Sequence, residues 1–266
     1  VDACPDIIET ADAFALGGAV LDAADRLGVP AVALCPGDPL LGLRTPESLR
    51  RRGRRGSWAE RQALGLLQRV YGAYDLVLVP SRAMASLLKS IGVEHAACQP
   101  LGVDCAVFSP SACDHAWRHE LQTRLHVVPG TRMLVYVGHF GASMGLDLLV
   151  QAVQALGPGH VLLAVGEGPC PPRGDAVRCL PPPADDAGLA RLLACCDAFV
   201  HAGGSAEPSG LAALEAMACG LPVVVAREGG LGEMAEGAGT TIDSDRVDEW
   251  AQAIRAAVCT TSWPHF

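Results

Sequence analysis

Residues 201–225 read HAGGSAEPSGLAALEAMACGLPVVV, and the succession of residue types along them indicates an α/β fold. The polar, glycine-rich beginning predicts a loop, with Ser209 as the cap of the helix that follows. Apolar residues then recur at helical spacing, Gly220 ends the helix, and residues 221–226 form a short apolar run. Such a run is typical of a buried parallel strand, so the stretch predicts a loop, a helix, a tight turn and a strand.

The start of this helix has the chemistry of a phosphate site. The amide groups of Gly210 and Leu211 are predicted to point out of the helix, where the helix dipole favours an anion. Glu207 precedes the helix and Glu215 lies on it, with seven residues between them. Two carboxylates beside a diphosphate can accept hydrogen bonds from sugar hydroxyls. The spacing alone fits a solvated loop glutamate and an ordinary helix glutamate equally well.

Strand-like runs and helical patterns alternate along the rest of the chain, which predicts parallel sheets covered by helices. One series ends near residue 104 and a second begins near residue 132, with a polar, histidine-containing segment between them. We therefore predict an N-terminal domain over residues 1–112, a linker over residues 113–130 and a C-terminal domain over residues 131–266.

Composition limits the classes of function. The 266 residues are 50% hydrophobic, enough for sizeable cores, and their net charge of −9 argues against a nucleic-acid partner. The chain shows no transmembrane run and no signal peptide, and its 11 cysteines have no metal-ligand spacing. These features predict a cytoplasmic protein with reduced cysteines. The basic run Arg50–Arg55 is either a solvated face or a peripheral contact with an anionic lipid at the inner membrane face.

The chain as a whole resembles bacterial retaining glycosyltransferases of family 4. The most specific part is the helix with the E-x7-E pattern, followed by AMACGLPVV. Supporting pieces are YDLVLVPS at 74–81, QPLGVD at 99–104, VG at 137–138, GLDLL at 145–149 and VGEGP at 165–169. The resemblance implies the GT-B fold, in which two Rossmann-like α/β domains with parallel sheets face a central cleft.

The resemblance also implies a role for each matching residue. Glu207 would hold the donor sugar near its reacting carbon and is the candidate catalytic residue, whereas Glu215 would accept hydrogen bonds from the nucleotide ribose. The other implied donor-binding residues surround the phosphates and the base: Gly138, His139, Gly166, Gly168, Leu180, His201, Ser209, Gly210 and Leu211. Pro36 and Asp38 would lie on the acceptor side. We expect no metal and no cofactor besides the nucleotide-diphosphate sugar.

Two positions depart from the family pattern where it places cations. Family members usually carry Arg directly after the glycine at Gly138 and Lys five residues later, and these cations neutralise the departing diphosphate. Here the positions hold His139 and Met144. The loss of one such contact typically costs roughly 10²–10³ in rate. Arg173 and Arg227 are alternative sources of positive charge.

The acceptor half departs as well. Pro36 follows the strand where the family usually has a His, and the glycine-rich first loop would precede Val1. We therefore expect that an N-terminal piece is missing and that the C-terminal helix is cut short.

Two functions follow from these patterns. The leading hypothesis is a glycosyltransferase that moves a sugar from a nucleotide-diphosphate sugar to an acceptor hydroxyl with retention of configuration. The acceptor would be a glycan, a lipid or a small molecule. The alternative is a non-catalytic pseudo-glycosyltransferase that binds nucleotide sugar or acts as a scaffold. An NAD-dependent enzyme is disfavoured because no G-x-G-x-x-G lies at a strand-to-helix turn.

Overall fold

The computed structural model describes residues 4–36, 58–203 and 209–259, with side chains from residue 61 onward in the second range. Asp38, Arg50–Arg55 and Glu207 lie outside the described residues. The described chain divides into two compact units. The first contains residues 4–36 and 58–101 with Ser209, and the second contains residues 102–203 and 210–259.

The first unit is a four-stranded parallel sheet with helices between its strands. The strands are β1 (Ile8–Thr10), β2 (Ala31–Leu34), β3 (Leu76–Val79) and β4 (Ala96–Cys98), paired in that order. The helices are α1 (Gly17–Leu27), α2 (Trp58–Tyr71) and α3 (Arg82–Ser90). Ser81 is the N-cap of α3, and its side chain accepts a hydrogen bond from the Met84 amide at 3.2 Å. Its apolar face buries Leu88 against the sheet.

The second unit contains a six-stranded parallel sheet. Its strands are β5 (Arg132–Val137), β6 (His160–Val165), β7 (Val177–Leu180), β8 (Ala198–His201), β9 (Val223–Ala226) and β10 (Thr240–Ile242). Its helices are α4 (His115–Arg124), α5 (Leu146–Leu156), α6 (Asp186–Ala194), α7 (Leu211–Ala218), α8 (Gly229–Met234) and α9 (Val247–Cys259), and a 3₁₀ turn spans Pro110–Ala112.

The strand order of this sheet is β10-β9-β8-β5-β6-β7, which is the doubly wound Rossmann order. From β5 the chain adds β6 and then β7 on one side of the sheet. It then returns and places β8 against the other side of β5, so the winding direction reverses between β5 and β8. Ligands of open α/β sheets bind in the crevice outside the carboxyl ends of the strands at such a reversal. Both units confirm the predicted α/β class with parallel sheets.

The structure adds two elements that the sequence pattern did not predict, α8 and β10. Residues 229–234 read GGLGEM, and their three glycines hide the helical preference. The three-residue β10 lies at the sheet edge and pairs only with β9 among the described strands, so its apolar content is low.

The segment predicted as a linker packs on the second unit. The observed division falls between Leu101 and Gly102, whereas the predicted N-terminal domain continued to residue 112. Leu121 and Val127 are buried in the core of the second unit. The segment is polar because most of α4 faces solvent, and these few apolar residues anchor it.

A partly buried carboxylate joins α4 to the beginning of the sheet. Asp197 accepts hydrogen bonds from the Arg118 guanidinium at 2.8 Å, the Arg132 guanidinium at 3.1 Å and the Met133 amide at 2.7 Å. Arg118 also donates to the carbonyl of Cys195, at the end of α6. A charged group with several hydrogen-bond partners away from water is costly to disturb, so this network holds α4 in place.

Two glycines allow the loops at the carboxyl edge of the sheet to pack closely. A Cβ atom on Gly166 would lie 1.9 Å from the Gly138 carbonyl oxygen, and one on Gly168 would lie 2.6 Å from the Phe140 carbonyl oxygen. The Phe140 amide donates to the Glu167 carbonyl at 2.7 Å. The loops after β5 and β6 are therefore joined through their backbones.

We predict that Asp197→Asn lowers the free energy of unfolding by about 1–3 kcal/mol, because it removes the carboxylate that pairs with the partly buried Arg118 and the more exposed Arg132. Asp248→Asn is the matched control, since the Arg246–Asp248 pair is 68% exposed on both sides, against 24% and 13% for Arg118 and Asp197. Urea unfolding measures both variants. Equal losses would contradict the structural role of Asp197.

We predict that Gly166→Ala destabilises the second unit by about 1–3 kcal/mol, because the new methyl group forces the two loops apart. Gly159→Ala is the control, since its Cβ would meet nothing within 4 Å. Thermal unfolding of the two variants gives the comparison. A Gly166→Ala protein as stable as Gly159→Ala would show that the loops do not depend on this contact.

Candidate functional site

A cavity of about 420 Å³ lies at the carboxyl edge of the six-stranded sheet. It is bounded by the ends of β5 and β6 and by the loop that leads from β7 into α6. The described residues that line it are Val137, Gly138, His139, Val165, Gly166, Glu167, Pro182, Pro183, Ala184, Asp185, Asp186 and Leu189. This is the edge at which an open α/β sheet binds its ligand.

Three of the predicted donor-binding residues meet in this cavity. Gly138 and His139 follow β5, and Gly166 follows β6. Register pairing of β5 with β6 brings Val137 opposite Val165, so the residues after each strand lie side by side. The His139 side chain is exposed, and its carbonyl accepts a hydrogen bond from the Tyr136 hydroxyl at 2.8 Å.

Gly168 and Leu180 lie behind the residues that line the cavity. Gly168 packs against the backbone of Phe140, which explains why the position needs glycine. Leu180 ends β7, and its carbonyl accepts a hydrogen bond from the Gly166 amide at 3.0 Å. Both residues shape the loops that line the cavity, and neither is among its described lining residues.

His201 is a buried residue next to the site. Its side chain is fully buried, with 0% exposure, and its ring stacks on Tyr136 at a centroid distance of 4.6 Å. Nδ1 accepts a hydrogen bond from the Gly203 amide at 3.0 Å, so the neutral ring carries its proton on Nε2. The sequence leaves open whether His201 lines the site or is a hydrogen-bonded structural residue. Its burial, its hydrogen bond and its absence from the described lining of the cavity favour the structural role.

The α7 helix begins at Gly210. This residue has φ 65° and occupies the N-cap position without a side-chain cap hydrogen bond, so the prediction that Ser209 caps the helix is wrong. A Cβ on Gly210 would lie 2.9 Å from Cβ of Met234, which places the helix start tightly against α8. The first helical hydrogen bond runs from the Leu214 amide to the Gly210 carbonyl at 3.1 Å. The N-terminal turn therefore starts at Gly210 and Leu211.

Glu215 is partly buried on α7. Burial, which penalises the charged form, raises the pKa of this carboxyl to about 7, and the negative charge of Asp186 adds to the effect. Asp186 is also a cavity-lining residue, so one carboxylate of the cavity acts electrostatically on Glu215. A partly buried glutamate with a pKa near neutral is a candidate functional group.

The cavity has an acidic lining. Its described lining residues include three carboxylates, Glu167, Asp185 and Asp186, and His139 is the one basic side chain among them. Asp185 is partly neutralised by its role as the α6 cap, where it accepts a hydrogen bond from the Gly188 amide at 2.8 Å.

Neither predicted alternative cation lines this cavity among the described residues. Arg173 is exposed outside it, and Arg227 lines a separate cavity of about 450 Å³ between β9 and α8. Met144 is buried, with 3% exposure, and its sulfur lies 3.3 Å from where a Cβ on Gly203 would be. Met144 is therefore a packing residue between two loops.

The remaining predicted residues lie either in the first unit or outside the described residues. Pro36 is exposed just beyond the carboxyl end of β2. Glu207 and Asp38 lie outside the described residues. Within the described ranges, no helix is long and apolar enough to cross a membrane, and no group of three or more His, Cys, Asp or Glu side chains is arranged to hold a metal ion.

Sequence reasoning missed Tyr136 and Asp186. Tyr136 lies inside an apolar strand, where an aromatic residue is expected only to pack, and its hydrogen bond to the His139 carbonyl needs the folded loop. Asp186 had a detectable signal, because it follows the proline-rich loop 181–183 at the start of a helix. Its proximity to Glu215 depends on the packing of α6 against α7.

Two family models match the chain. Residues 131–259 match the model described as "Glycosyl transferases group 1", and residues 1–103 match the model described as "Glycosyl transferase 4-like domain". Together they cover most of both units.

Curated relatives share about a third of their residues with this chain. A GDP-mannose-dependent alpha-(1-6)-phosphatidylinositol dimannoside mannosyltransferase of Mycobacterium tuberculosis is 31% identical over 196 residues, which cover 70% of this chain and 49% of that protein. The sulfoquinovosyl transferase SQD2 of Arabidopsis thaliana is 32% identical over 185 residues, covering 66% of this chain and 35% of that protein. The chain spans about half or less of the length of these relatives.

Solved structures share the fold. HepE of Anabaena, in complex with UDP and glucose, superposes with a TM-score of 0.72 at 22% identity and covers 97% of this chain and 69% of its own. An alpha,alpha-trehalose-phosphate synthase (UDP-forming) of Burkholderia vietnamiensis has a TM-score of 0.64 at 13% identity, covering 90% and 61%. With two parallel-sheet units that match these folds and two family models that follow one another along the sequence, the chain belongs to the GT-B glycosyltransferases, with a glycosyl transferase 4-like domain followed by a group 1 domain.

Proposed function

We propose that this chain binds a nucleotide-diphosphate sugar in its second unit and transfers the sugar to an acceptor hydroxyl. The observation that carries the proposal is the cavity at the winding reversal of the six-stranded sheet, where Gly138, His139 and Gly166 meet. Backbone glycines next to a cavity allow phosphates to approach the main chain closely.

The α7 helix supplies the second part of the proposed site. Its N-terminal turn at Gly210 and Leu211 carries the positive end of the helix dipole, which favours a diphosphate. Glu215 lies one turn further along the same helix and would accept hydrogen bonds from the ribose hydroxyls in its charged form. This arrangement lets one short helix bind both the phosphates and the ribose.

The transfer step assigns Glu207 to the donor sugar. In this proposal its carboxylate holds the sugar while the acceptor oxygen forms the new glycosidic bond. The nucleoside diphosphate leaves from the same face and takes up the proton of the acceptor hydroxyl. Retention of configuration follows from that geometry. The reaction is proposed to need no metal, with His139 in its protonated form supplying positive charge to the leaving diphosphate.

The experiment is a donor panel. Purified protein is incubated with UDP-, GDP- and ADP-sugars, including GDP-mannose because one relative is named as dependent on it, with phosphatidylinositol glycolipids, inositol phosphate and simple sugars as acceptors. Reactions run with and without EDTA, and NMR reads the anomeric configuration of the product. Absence of transfer and of hydrolysis with every donor would refute an active enzyme, and an inverted product would refute retention.

The second candidate function is a protein that binds nucleotide sugar without turnover. The acidic cavity lining and the buried Met144 favour it, because a departing diphosphate meets little positive charge there among the described residues. Calorimetry with UDP and GDP separates the candidates. Nucleotide binding without any turnover supports the second, and absence of binding rejects both.

We predict that His139→Arg tightens binding of UDP or GDP about threefold to tenfold at low salt. A guanidinium is permanently charged and can bind a phosphate through two parallel hydrogen bonds, whereas an imidazole cannot. His119→Arg is the matched control, since His119 is exposed on α4 and changes the net charge equally outside the cavity. Calorimetry at two salt concentrations measures the effect. Equal tightening in both variants would contradict a phosphate contact at position 139.

We predict that Glu215→Gln raises the free energy of unfolding by an amount that depends on pH. Because the folded-state pKa is raised to about 7, the protonated carboxyl favours folding most below its ordinary value near 4.5, and this contribution is lost as pH rises to about 7. Glutamine keeps the shape without the charge. The variant should therefore gain stability over the natural protein between about pH 5 and 7, and stay about 1–2 kcal/mol more stable above, allowing for partial exposure.

Urea unfolding at pH 5, 6, 7 and 8 measures this difference. Glu120→Gln, a change at an exposed glutamate of α4, corrects for the loss of one negative charge. A difference between Glu215→Gln and the natural protein that stays constant over this range would contradict the raised pKa.

A further inference from the structure

Two cysteine thiols lie next to each other in the second unit. Cys113 stands between the 3₁₀ turn and α4, and Cys195 follows the last residue of α6. Their sulfur atoms are 3.9 Å apart, although the residues are 82 positions apart in the chain. Cys195 has 0% exposure, whereas Cys113 is partly exposed. One sulfur is therefore accessible from solvent and the other is held directly behind it.

Local hydrogen bonds keep this pair in place. The Asp114 amide donates to the Cys195 sulfur at 3.4 Å, and the Arg118 side chain donates to the Cys195 carbonyl. Nδ1 of His115 lies 4.0 Å from the Cys113 sulfur. A disulfide needs sulfur atoms about 2.05 Å apart. The sulfurs of Cys113 and Cys195 are 3.9 Å apart, so side-chain rotation with a small backbone movement has to close the remaining distance.

We propose that Cys113 and Cys195 form a modification site, at which a hydroperoxide oxidises the pair to an intramolecular disulfide. In the first step the Cys113 thiolate attacks hydrogen peroxide and takes one oxygen atom, which gives a sulfenic acid and hydroxide. The hydroxide takes up the proton that the Cys113 thiol has lost, and this gives one water. In the second step the Cys195 sulfur attacks the Cys113 sulfur and displaces hydroxide, which takes the Cys195 proton and leaves as a second water. The two thiols lose two electrons in total, and the peroxide gains them.

The surroundings of the two sulfurs determine which one is oxidised first. Cys113 is accessible to peroxide, and the His115 imidazole beside it can accept the thiol proton. Burial raises the pKa of the Cys195 thiol to about 11, which makes this residue slow to react with peroxide directly. Cys113 is therefore the sulfur that is oxidised first, and Cys195 is the one that resolves it.

The disulfide would constrain a segment that contacts two helices. The 3₁₀ turn before Cys113 packs against α6, and the Cγ atom of Pro110 lies 3.1 Å from where a Cβ on Gly220 would be. Gly220 lies two residues after Ala218, the last residue of α7, which is the helix that carries Glu215. A covalent bond at Cys113 would thus fix the segment that packs against the ends of both helices.

The experiment treats the purified full chain with hydrogen peroxide at increasing concentrations. Remaining thiols are then alkylated under denaturing conditions, and peptides are mapped by mass spectrometry without reduction. We expect a linked peptide pair containing Cys113 and Cys195, a mass loss of two hydrogen atoms, and full reversal by dithiothreitol. The closed loop should raise the thermal midpoint by roughly 5–10 °C.

Three variants make the test specific. Cys113→Ser should abolish the linked pair, and Cys105→Ser, a change at an exposed cysteine nearby, should leave it intact. In Cys195→Ala the Cys113 sulfenic acid should persist and react with dimedone. If Cys195→Ala does not fold, the comparison of Cys113→Ser with Cys105→Ser still tests the proposal. Overoxidation of Cys113 without a linked pair, or pairing of Cys113 with another cysteine, would overturn it.

Discussion

The backbone of Gly166 lies against the carbonyl of Gly138, and the arrangement of the candidate site depends on this contact. A Cβ at Gly166 would lie only 1.9 Å from that oxygen, so no residue with a side chain fits without moving a loop. The contact brings the loops after β5 and β6 together at the winding reversal of the sheet. The Phe140 amide and the Tyr136 hydroxyl then hold the β5 loop in position. The cavity is the space that this arrangement leaves toward the β7–α6 loop.

The acidic lining of the cavity is unfavourable for the diphosphate that the proposed function requires it to bind. A diphosphate needs donors or cations, yet the described lining residues include three carboxylates and the single basic residue His139. The position that the family pattern reserves for lysine holds Met144, which fills the space beside Gly203. A lysine there would have to place its ammonium group in an apolar contact. The proposed function therefore depends on the dipole of α7 and on main-chain amides for positive potential at the diphosphate.

The segment from residue 102 to residue 130 connects several of these observations. The polarity of residues 113–130 predicts a linker, but the Asp197 network and the buried Leu121 make them part of the second unit. The same packing brings Cys113 next to Cys195 and Pro110 next to the end of α7. A segment that looks peripheral in the sequence thus contacts the helix of Asp186 and the end of the helix of Glu215, and the charge of Asp186 helps to raise the pKa of Glu215.

The alternation of apolar runs and helical patterns was enough to predict the α/β class, the parallel sheets and most helices, because local periodicity depends on neighbouring residues alone. The helix of Glu215 was predictable from periodicity, and the family resemblance pointed to Gly138 and Gly166, which line the cavity. The roles of these residues in binding a donor stay predictions. The division at Leu101, the cap at Gly210 and the proximity of Asp186 to Glu215 were not predictable, and the choice between a lining and a structural His201 was left open. Each of these depends on which residues from distant parts of the chain come into contact. Burial and the resulting electrostatics arise only when those surfaces pack, and no local pattern of residue types contains that information.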